Sequence, residues 1–115
     1  MTETCNQLAS HECIPCKGDV PPLVGDDLQE HLRGLDHGWL LVKEHHLEKE
    51  FTFPDFQTAL DFTNCVGAIA EEQMHHPDIL TAWAKVKVTI WTHKIDGLTP
   101  SDFYFAAKCE KAYKD

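Results

Sequence analysis

The sequence PDFQTALDFTNCVGAIAEEQMHHPDILTAWAKVKVTIWTH, residues 54–93, carries the strongest periodic pattern in the chain. After its opening Pro-Asp pair, apolar residues recur three and four apart, which predicts one helix to about Met74. Pro77 is expected to end that helix, because proline pushes the residue before it into an extended conformation. Residues 83–93 then alternate polar and apolar side chains. This alternation predicts a strand with one buried face.

The residues before this stretch predict a shorter helix and two strands. Asp27 and Glu30 have the spacing of a capping pair, and Gly38 is expected to stop the helix that they open. The apolar run 39–42 is too short for a helix, and residues 47–53 alternate again. These two segments predict a β-hairpin.

After the stretch, Thr99-Pro100-Ser101-Asp102 resembles a capping box with proline at the first helical position. It predicts a final helix. The predicted order is helix, two strands, helix, one or two strands, helix, and the connections within each strand pair are too short for parallel crossovers. The predicted class is therefore α+β, with an antiparallel four-stranded sheet and helices packed on one face in two layers.

Composition favours one soluble domain. The chain has 115 residues, 43% of them hydrophobic and 25% charged, and its net charge is −9. We expect a flexible N-terminal arm over 1–25 and a single domain over 26–115. With Arg33 as the sole arginine, nucleic acid binding is disfavoured. No apolar run suits a bilayer or a secretory signal, and five cysteines are an odd number, so we expect a cytoplasmic protein with free thiols.

Histidine is the unusual residue type, with eight copies. His75 and His76 end the predicted long helix, Glu71 lies one turn before them, and His93 ends the predicted strand. Three imidazoles at element ends can share a cleft, and imidazole can both give and take protons near neutral pH. The alternative is that histidines in a last helical turn only complement the helix dipole. No sequence motif for a covalent nucleophile is present.

The same histidines could instead hold a metal ion, since catalytic zinc often has three protein ligands. However, no His-Glu-x-x-His occurs, and adjacent helical residues point about 100° apart. His11, Cys13 and Cys16 form a second possible zinc set in the arm, without an obvious fourth ligand. Neither pattern has the spacing of a familiar site.

Other candidates have structural explanations. His45 and His46 fit a solvated turn between strands. Asp102 fits the third residue of the capping box, which is compatible with a second, functional role. Trp83 and Trp91 fit packing positions better than platforms for a ligand.

Seven residues at fixed gaps resemble the signature of the pterin-4a-carbinolamine dehydratase family. They are Glu71, His75, His76, Pro77, Trp83, His93 and Asp102. The similarity extends over roughly residues 28–113, which is most of the predicted domain. Seven positions with set gaps are much more specific than a lone His-His-Pro.

The resemblance implies a hydro-lyase that dehydrates a 4a-hydroxytetrahydropterin to the quinonoid dihydropterin. It implies a role in tetrahydrobiopterin recycling for aromatic amino acid hydroxylases, with the hydroxylase as functional partner. It also implies no metal or organic cofactor and assembly into a homodimer or homotetramer. Two alternatives stay open. One is a protein-interaction module, because some animal members stabilise a transcription-factor dimer, and the other is a small metal-binding protein.

The resemblance also implies roles for individual residues. His75, His76 and His93 would be catalytic, and our hypothesis is that His75 and His93 share the proton transfers while His76 orients the substrate. The substrate-binding and supporting residues would be Glu71, Pro77, Trp83, Thr92 and Asp102.

Overall fold

The computed structural model describes residues 3–14, 21–35 and 38–114. The elements in chain order are α1 (Cys5–Ala9), α2 (Asp26–Gly34), β1 (Leu40–Val42), β2 (His46–Thr52), α3 (Phe56–Gln73), β3 (Asp78–Ala82), β4 (Lys85–Ile90) and α4 (Pro100–Lys114). A single 3₁₀ turn, His93–Ile95, lies between β4 and α4. None of the helices in these residues combines the length and apolar character that a bilayer crossing requires.

The four strands form one antiparallel sheet in the order β1-β2-β4-β3. Leu47 pairs with Ile90 and Phe51 with Val86, and all four side chains are buried. Alternation places them on one face, where α3 and α4 cover them. The predicted α+β class, with a four-stranded antiparallel sheet, is confirmed.

Helix α3 has the predicted start and a different cause for its end. The Oδ1 atom of its N-cap Asp55 accepts a hydrogen bond of 2.8 Å from the Thr58 amide. The helix ends at Gln73, because Met74 adopts a left-handed conformation with φ of 52°. Pro77 therefore lies beyond an end that Met74 has already made.

Helix α2 differs from its prediction at both ends. Gly25 is its N-cap and no side chain caps it, so Asp27 lies inside the first turn instead of preceding it. Acidic residues there still complement the helix dipole. The helix ends at Gly34, before the predicted stop at Gly38, because Leu35 is already extended.

The predicted strand over 83–93 is shorter than expected. Trp83 and Ala84 form the turn of a β3–β4 hairpin, in which Ala84 has a φ of 63°. Strand β4 stops at Ile90, and His93 begins the 3₁₀ turn. The alternating pattern runs through all of these residues, so it does not mark either end of the strand.

The described part of the predicted flexible arm is packed. Thr4 and Gln7 form a reciprocal capping box for α1, and α1 lies against α4 with Leu8 only 1% exposed. Cys13 is also buried. The apolar spacing in this short segment is too brief to reveal a helix from sequence. Cys16 lies outside the described residues.

Candidate active site

One cleft of about 280 Å³ lies where the end of α3 meets the residues that follow β4. Its lining residues are Met74, His75, His76, Trp91, Thr92, His93 and Lys94. The volume is close to the small end of the range for ligand pockets, which starts at about 300 Å³. The three predicted catalytic histidines therefore share one hollow, although they come from two separate segments.

The left-handed Met74 turns the chain so that His75 faces α4. The His75 amide donates to the Ala70 carbonyl at 3.1 Å, which closes the helix end. The Nε2 atom of His75 lies 2.6 Å from Oδ1 of Asp102. The His75 side chain is 15% exposed and that of Asp102 is 0% exposed.

Asp102 is held by two further donors. Its Oδ2 accepts from the Thr92 hydroxyl and from the Thr99 amide, each at 2.8 Å. Because the Thr92 hydroxyl donates to Asp102, the Thr99 hydroxyl donates to Thr92 across the 3.0 Å that separate them. The carboxylate therefore serves as the predicted helix cap and as the partner of His75 at the same time.

This network fixes the state of the His75 ring. A carboxylate only accepts hydrogen bonds, so Nε2 of His75 carries the proton, and in the neutral ring Nδ1 has a lone pair. An aspartate bonded to one ring nitrogen holds a histidine in one tautomer and one orientation. Nδ1 is therefore the atom of this ring that can accept a proton from a ligand.

His76 has a carboxylate partner of another kind. Its Nε2 lies 2.5 Å from Oε2 of Glu71, which lies in the last turn of α3. The two side chains are 53% and 77% exposed. Solvent screens such a pair, so it restrains the ring weakly.

His93 is exposed and is held by stacking. Its ring lies 4.4 Å from the Trp91 ring, centroid to centroid, with 31° between the two planes. Trp91 is half-buried and lines the cleft beside it. The Thr92 side chain points instead to Asp102. Trp91 thus has a place in the site that its prediction as a packing residue did not include.

Of the five predicted substrate-binding residues, only Thr92 lines the cleft. Glu71 and Asp102 lie outside it and bond His76 and His75, which line it. Pro77 follows His76 directly but is not among the lining residues. Trp83 is 73% exposed in the β3–β4 turn. Ala84 and the six residues of β4 separate Trp83 from Trp91, and β4 alone spans about 20 Å at roughly 3.3 Å per residue. The structure therefore does not bring Trp83 to the histidines of the same chain.

Three lining residues were missed by sequence reasoning: Met74, Trp91 and Lys94. Trp91 and Lys94 flank the Thr92-His93 pair, and Met74 precedes His75. Adjacency to a motif histidine was the one available signal. It could not show which neighbours face the cleft.

His45 and His46 also do more than occupy a solvated turn. Nε2 of His45 lies 2.6 Å from Oδ1 of Asp96, just beyond the 3₁₀ turn. Both histidine rings pack against Trp91, at 5.3 and 6.0 Å between centroids. The pair therefore contacts the back of the cleft wall.

Across the described ranges, no group of three or more His, Cys, Asp or Glu side chains is placed to hold a metal ion. Of the second predicted zinc set, His11 pairs with Glu3 at 2.6 Å, and the Cys13 thiol donates to the Ser101 carbonyl at 3.5 Å. Burial raises the pKa of the Cys13 thiol to about 11, which opposes the thiolate form that binds metals. Cys13, Cys65 and Cys109 are free thiols.

Comparisons with known proteins point in one direction. A family model described as Pterin 4 alpha carbinolamine dehydratase matches residues 21–112. A Rubrobacter xylanophilus protein, provisionally named a pterin-4-alpha-carbinolamine dehydratase, is 56% identical over 92% of this chain and 98% of its own. An Alkaliphilus metalliredigens protein with the same provisional name is 50% identical over 92% of this chain and 96% of its own.

A solved structure agrees in fold. The crystal structure titled as a transcriptional coactivator/pterin dehydratase from Brucella melitensis matches with a TM-score of 0.73 and 34% identity. The match covers 79% of this chain and 97% of that one.

Proposed function

The chain belongs to the pterin 4 alpha carbinolamine dehydratase family, and we propose that it dehydrates a 4a-hydroxytetrahydropterin by histidine acid–base catalysis. The observation that carries the proposal is the meeting of His75, His76 and His93 in one small cleft. Asp102 is buried behind His75 and fixes the orientation of the His75 ring. The expected product is the quinonoid dihydropterin.

The reaction needs two proton transfers and no redox partner. The bond between C4a and its hydroxyl breaks, and the departing oxygen takes a proton and leaves as water. A ring N–H gives up its proton as the C=N double bond forms. One acid and one base are therefore sufficient, and such transfers contribute about 10²- to 10⁴-fold in rate.

We assign the two transfers to His75 and His93. His75 has a fixed ring whose Nδ1 is left to exchange a proton, because its Nε2 is bonded to Asp102. His93 lies at the exposed edge of the same cleft, with its ring against Trp91. His76, with its weaker restraint from Glu71, orients the substrate.

The cleft suits a flat and uncharged guest. Its aromatic and imidazole walls offer ring faces, while Thr92 and Asp102 set the position of His75 from behind. Pro77 acts only through the direction that it gives to the chain after His76. The scarcity of arginine in this acidic chain does not disfavour such a ligand.

We place the reaction after the aromatic amino acid hydroxylases, which would release the carbinolamine that the protein consumes. The hydroxylase is then a functional partner through its product. Assembly into a homodimer or homotetramer and a cytoplasmic location stay predictions.

The test follows decay of a 4a-hydroxytetrahydropterin, generated by hydroxylase turnover, and appearance of the quinonoid dihydropterin. We expect the protein to accelerate this step, and His75→Ala and His93→Ala to lower kcat by about 10²-fold or more. His76→Ala should mainly raise KM. His11→Ala is the matched control, since His11 also bonds a carboxylate at 2.6 Å but does not line the cleft. Unchanged rates in both the His75 and the His93 variants would remove the proposal.

A further inference from the structure

We propose that His45 is a positioning residue for His93, acting through Asp96 and Trp91. The inference rests on the proposed function of His93. It gives the His45-His46 pair, which stands outside the family signature, a role in the same reaction.

The loop that carries His93 is short, and a backbone bridge fixes its base. Thr92 and Gly97 form an isolated bridge, in which the Thr92 amide donates to the Gly97 carbonyl at 2.8 Å. Between them lies one 3₁₀ turn, closed by a 3.2 Å bond from the Asp96 amide to the His93 carbonyl. These bonds define the backbone of the loop but not the direction of the His93 ring.

A second loop supports this one from outside. Lys43 and Glu44 have φ of 52° and 53°, as both central residues of a tight hairpin turn between β1 and β2 require. His45 follows them, and its Nε2 reaches Oδ1 of Asp96 at 2.6 Å. The contact joins residues 51 positions apart, so it is a tertiary link between the two loops. The side chains of His45 and Asp96 are 32% and 85% exposed, so solvent weakens the bond, and the contact of the His45 ring with Trp91 adds to it.

The rings form a continuous row from this link to the cleft. His45 lies 5.3 Å from Trp91, and Trp91 lies 4.4 Å from His93, centroid to centroid. Trp91 thus contacts both His45 and His93. Movement of the His45 ring would release both Trp91 and Asp96.

The hydrogen bonds also set the tautomers in this row. Asp96 accepts from Nε2 of His45, so Nδ1 of a neutral His45 accepts. Nδ1 of His46 lies 3.0 Å from that atom and therefore donates to it. Both nitrogens of His45 and Nδ1 of His46 therefore have defined roles, while Nε2 of His46 lies 3.7 Å from Oε2 of Glu48.

The consequence for His93 is kinetic. A misplacement of about 1 Å at a reacting group can lower a rate about 10²-fold, and ring support of this kind prevents smaller shifts. We expect His45→Ala to lower kcat five- to twenty-fold with little change in KM. His45→Gln retains an amide N–H that can reach Asp96, so it should restore most of the rate.

A spectroscopic readout separates positioning from general destabilisation. The Trp91 ring current shifts the Cε1 proton of His93, so its NMR signal reports the stacking. This signal should move in His45→Ala, return in His45→Gln and stay in place in His11→Ala. The His11 control also loses a 2.6 Å bond to a carboxylate and a ring stack, on Tyr104, away from the cleft.

A second variant removes the link from its other end. Asp96→Gly deletes the carboxylate at a residue whose φ of 51° glycine accepts readily. Asp96→Asn keeps an acceptor oxygen and is its conservative partner. We expect Asp96→Gly to lower kcat less than His45→Ala, because the contact of His45 with Trp91 remains. Asp96→Asn should resemble the unsubstituted protein. This comparison does not require His45→Ala to fold.

A double-mutant cycle decides between this inference and the proposed function. If His45 acts through His93, His45→Ala has no further effect on kcat when His93 is already alanine. An undiminished additional loss in that background overturns the inference, as does a normal kcat in both His45→Ala and Asp96→Gly. A His93→Ala variant with full activity would instead overturn the role of His93 itself.

Discussion

His75 and His76 are neighbours in the chain, and each bonds a carboxylate at almost the same distance. His75 reaches Asp102 at 2.6 Å, and His76 reaches Glu71 at 2.5 Å. The surroundings differ. In the first pair, His75 is nearly buried and Asp102 is fully buried, and their bond joins the chain just after α3 to α4. In the second pair, both side chains are mostly exposed and lie five residues apart in the sequence.

The difference shows that distance alone does not determine what a pair contributes. Asp102 has three donors around it and no solvent, so losing any one of them leaves buried polar atoms without partners. Glu71 can exchange its partner for water at little cost. The buried pair therefore gives one fixed ring, and the exposed pair gives a ring that can adjust to a ligand.

The largest expected effect comes from Asp102→Asn. The amide nitrogen takes the place either of Oδ1, where Nε2 of His75 must change from donor to acceptor, or of Oδ2, where it faces the Thr92 and Thr99 donors. In either case a buried arrangement of donors and acceptors is disrupted. We expect urea unfolding to show a loss of about 1–3 kcal/mol. The kcat should fall about 10²-fold or more, because His75 loses its fixed tautomer. Both quantities are measurable on the same preparation.

Glu71→Gln makes the same chemical change on the exposed pair and is the matched comparison for Asp102→Asn. If the two variants lose equal activity and equal stability, burial has no part in the difference between the pairs. The difference between the two pairs could then not be assigned to burial.

The next effect concerns Cys13, whose thiol bonds the carbonyl of Ser101, directly beside Asp102. Burial raises its pKa to about 11, so at pH 8 its thiolate fraction is roughly 100-fold below that of an ordinary cysteine. We expect iodoacetamide to modify exposed Cys65 at least 100-fold faster, as measured by peptide mass mapping. The Cys13 rate should rise with pH up to about 11.

The alkylation rate of Cys13 can also test the comparison of the two histidine–carboxylate pairs, through the Asp102→Asn variant. This variant should speed Cys13 alkylation, because it loosens the start of α4 where Ser101 lies, while the Cys65 rate stays constant. Equal rates at the two cysteines in the unsubstituted protein would contradict the burial of this region.

Sequence was sufficient for strands β2 and β4 and for the long helices, because their patterns are long, but no pattern identified β3. The period of α3 and the alternation of β2 and β4 each extend over enough residues to identify the element. Their ends were less accessible. Met74 and Ala84 take left-handed conformations that no local pattern marks, and α1 is too short to show a period.

For the candidate site, the motif located the histidines but not their partners. The gap from His75 to Asp102 gives no sign that the two side chains touch, since this depends on how α3 and α4 pack. Thr92 was tied to the site through the family resemblance, yet its bond to Asp102 follows only from the fold. Trp83 shows the opposite error, because a signature position need not lie in the cleft of its own chain.

A smaller effect is expected from Thr92→Val, which removes one donor to Asp102 and keeps the size of the side chain. We expect a stability loss of about 1 kcal/mol and a kcat three- to ten-fold lower, because the carboxylate keeps two of its three donors. Thr63→Val is the control, since Thr63 bonds the Thr81 hydroxyl at 2.6 Å away from the cleft. Its free energy of unfolding, measured in urea, should fall by a similar amount, and its kcat should not change. Equal losses of kcat would mean that Thr92 acts through stability alone.

The smallest effect should come from Glu71→Gln. Both partners of this pair are exposed, so its stability should change by no more than about 0.5 kcal/mol. Because the proposed substrate is uncharged, any salt dependence of KM has to come from the protein. Raising the salt from about 0.05 to 0.5 M shortens the screening length to less than half. It should raise KM up to two-fold in the unsubstituted protein and leave that of Glu71→Gln constant. A salt response that survives the substitution would show that another charge, such as Lys94 at the cleft, orients the substrate in place of the His76–Glu71 pair.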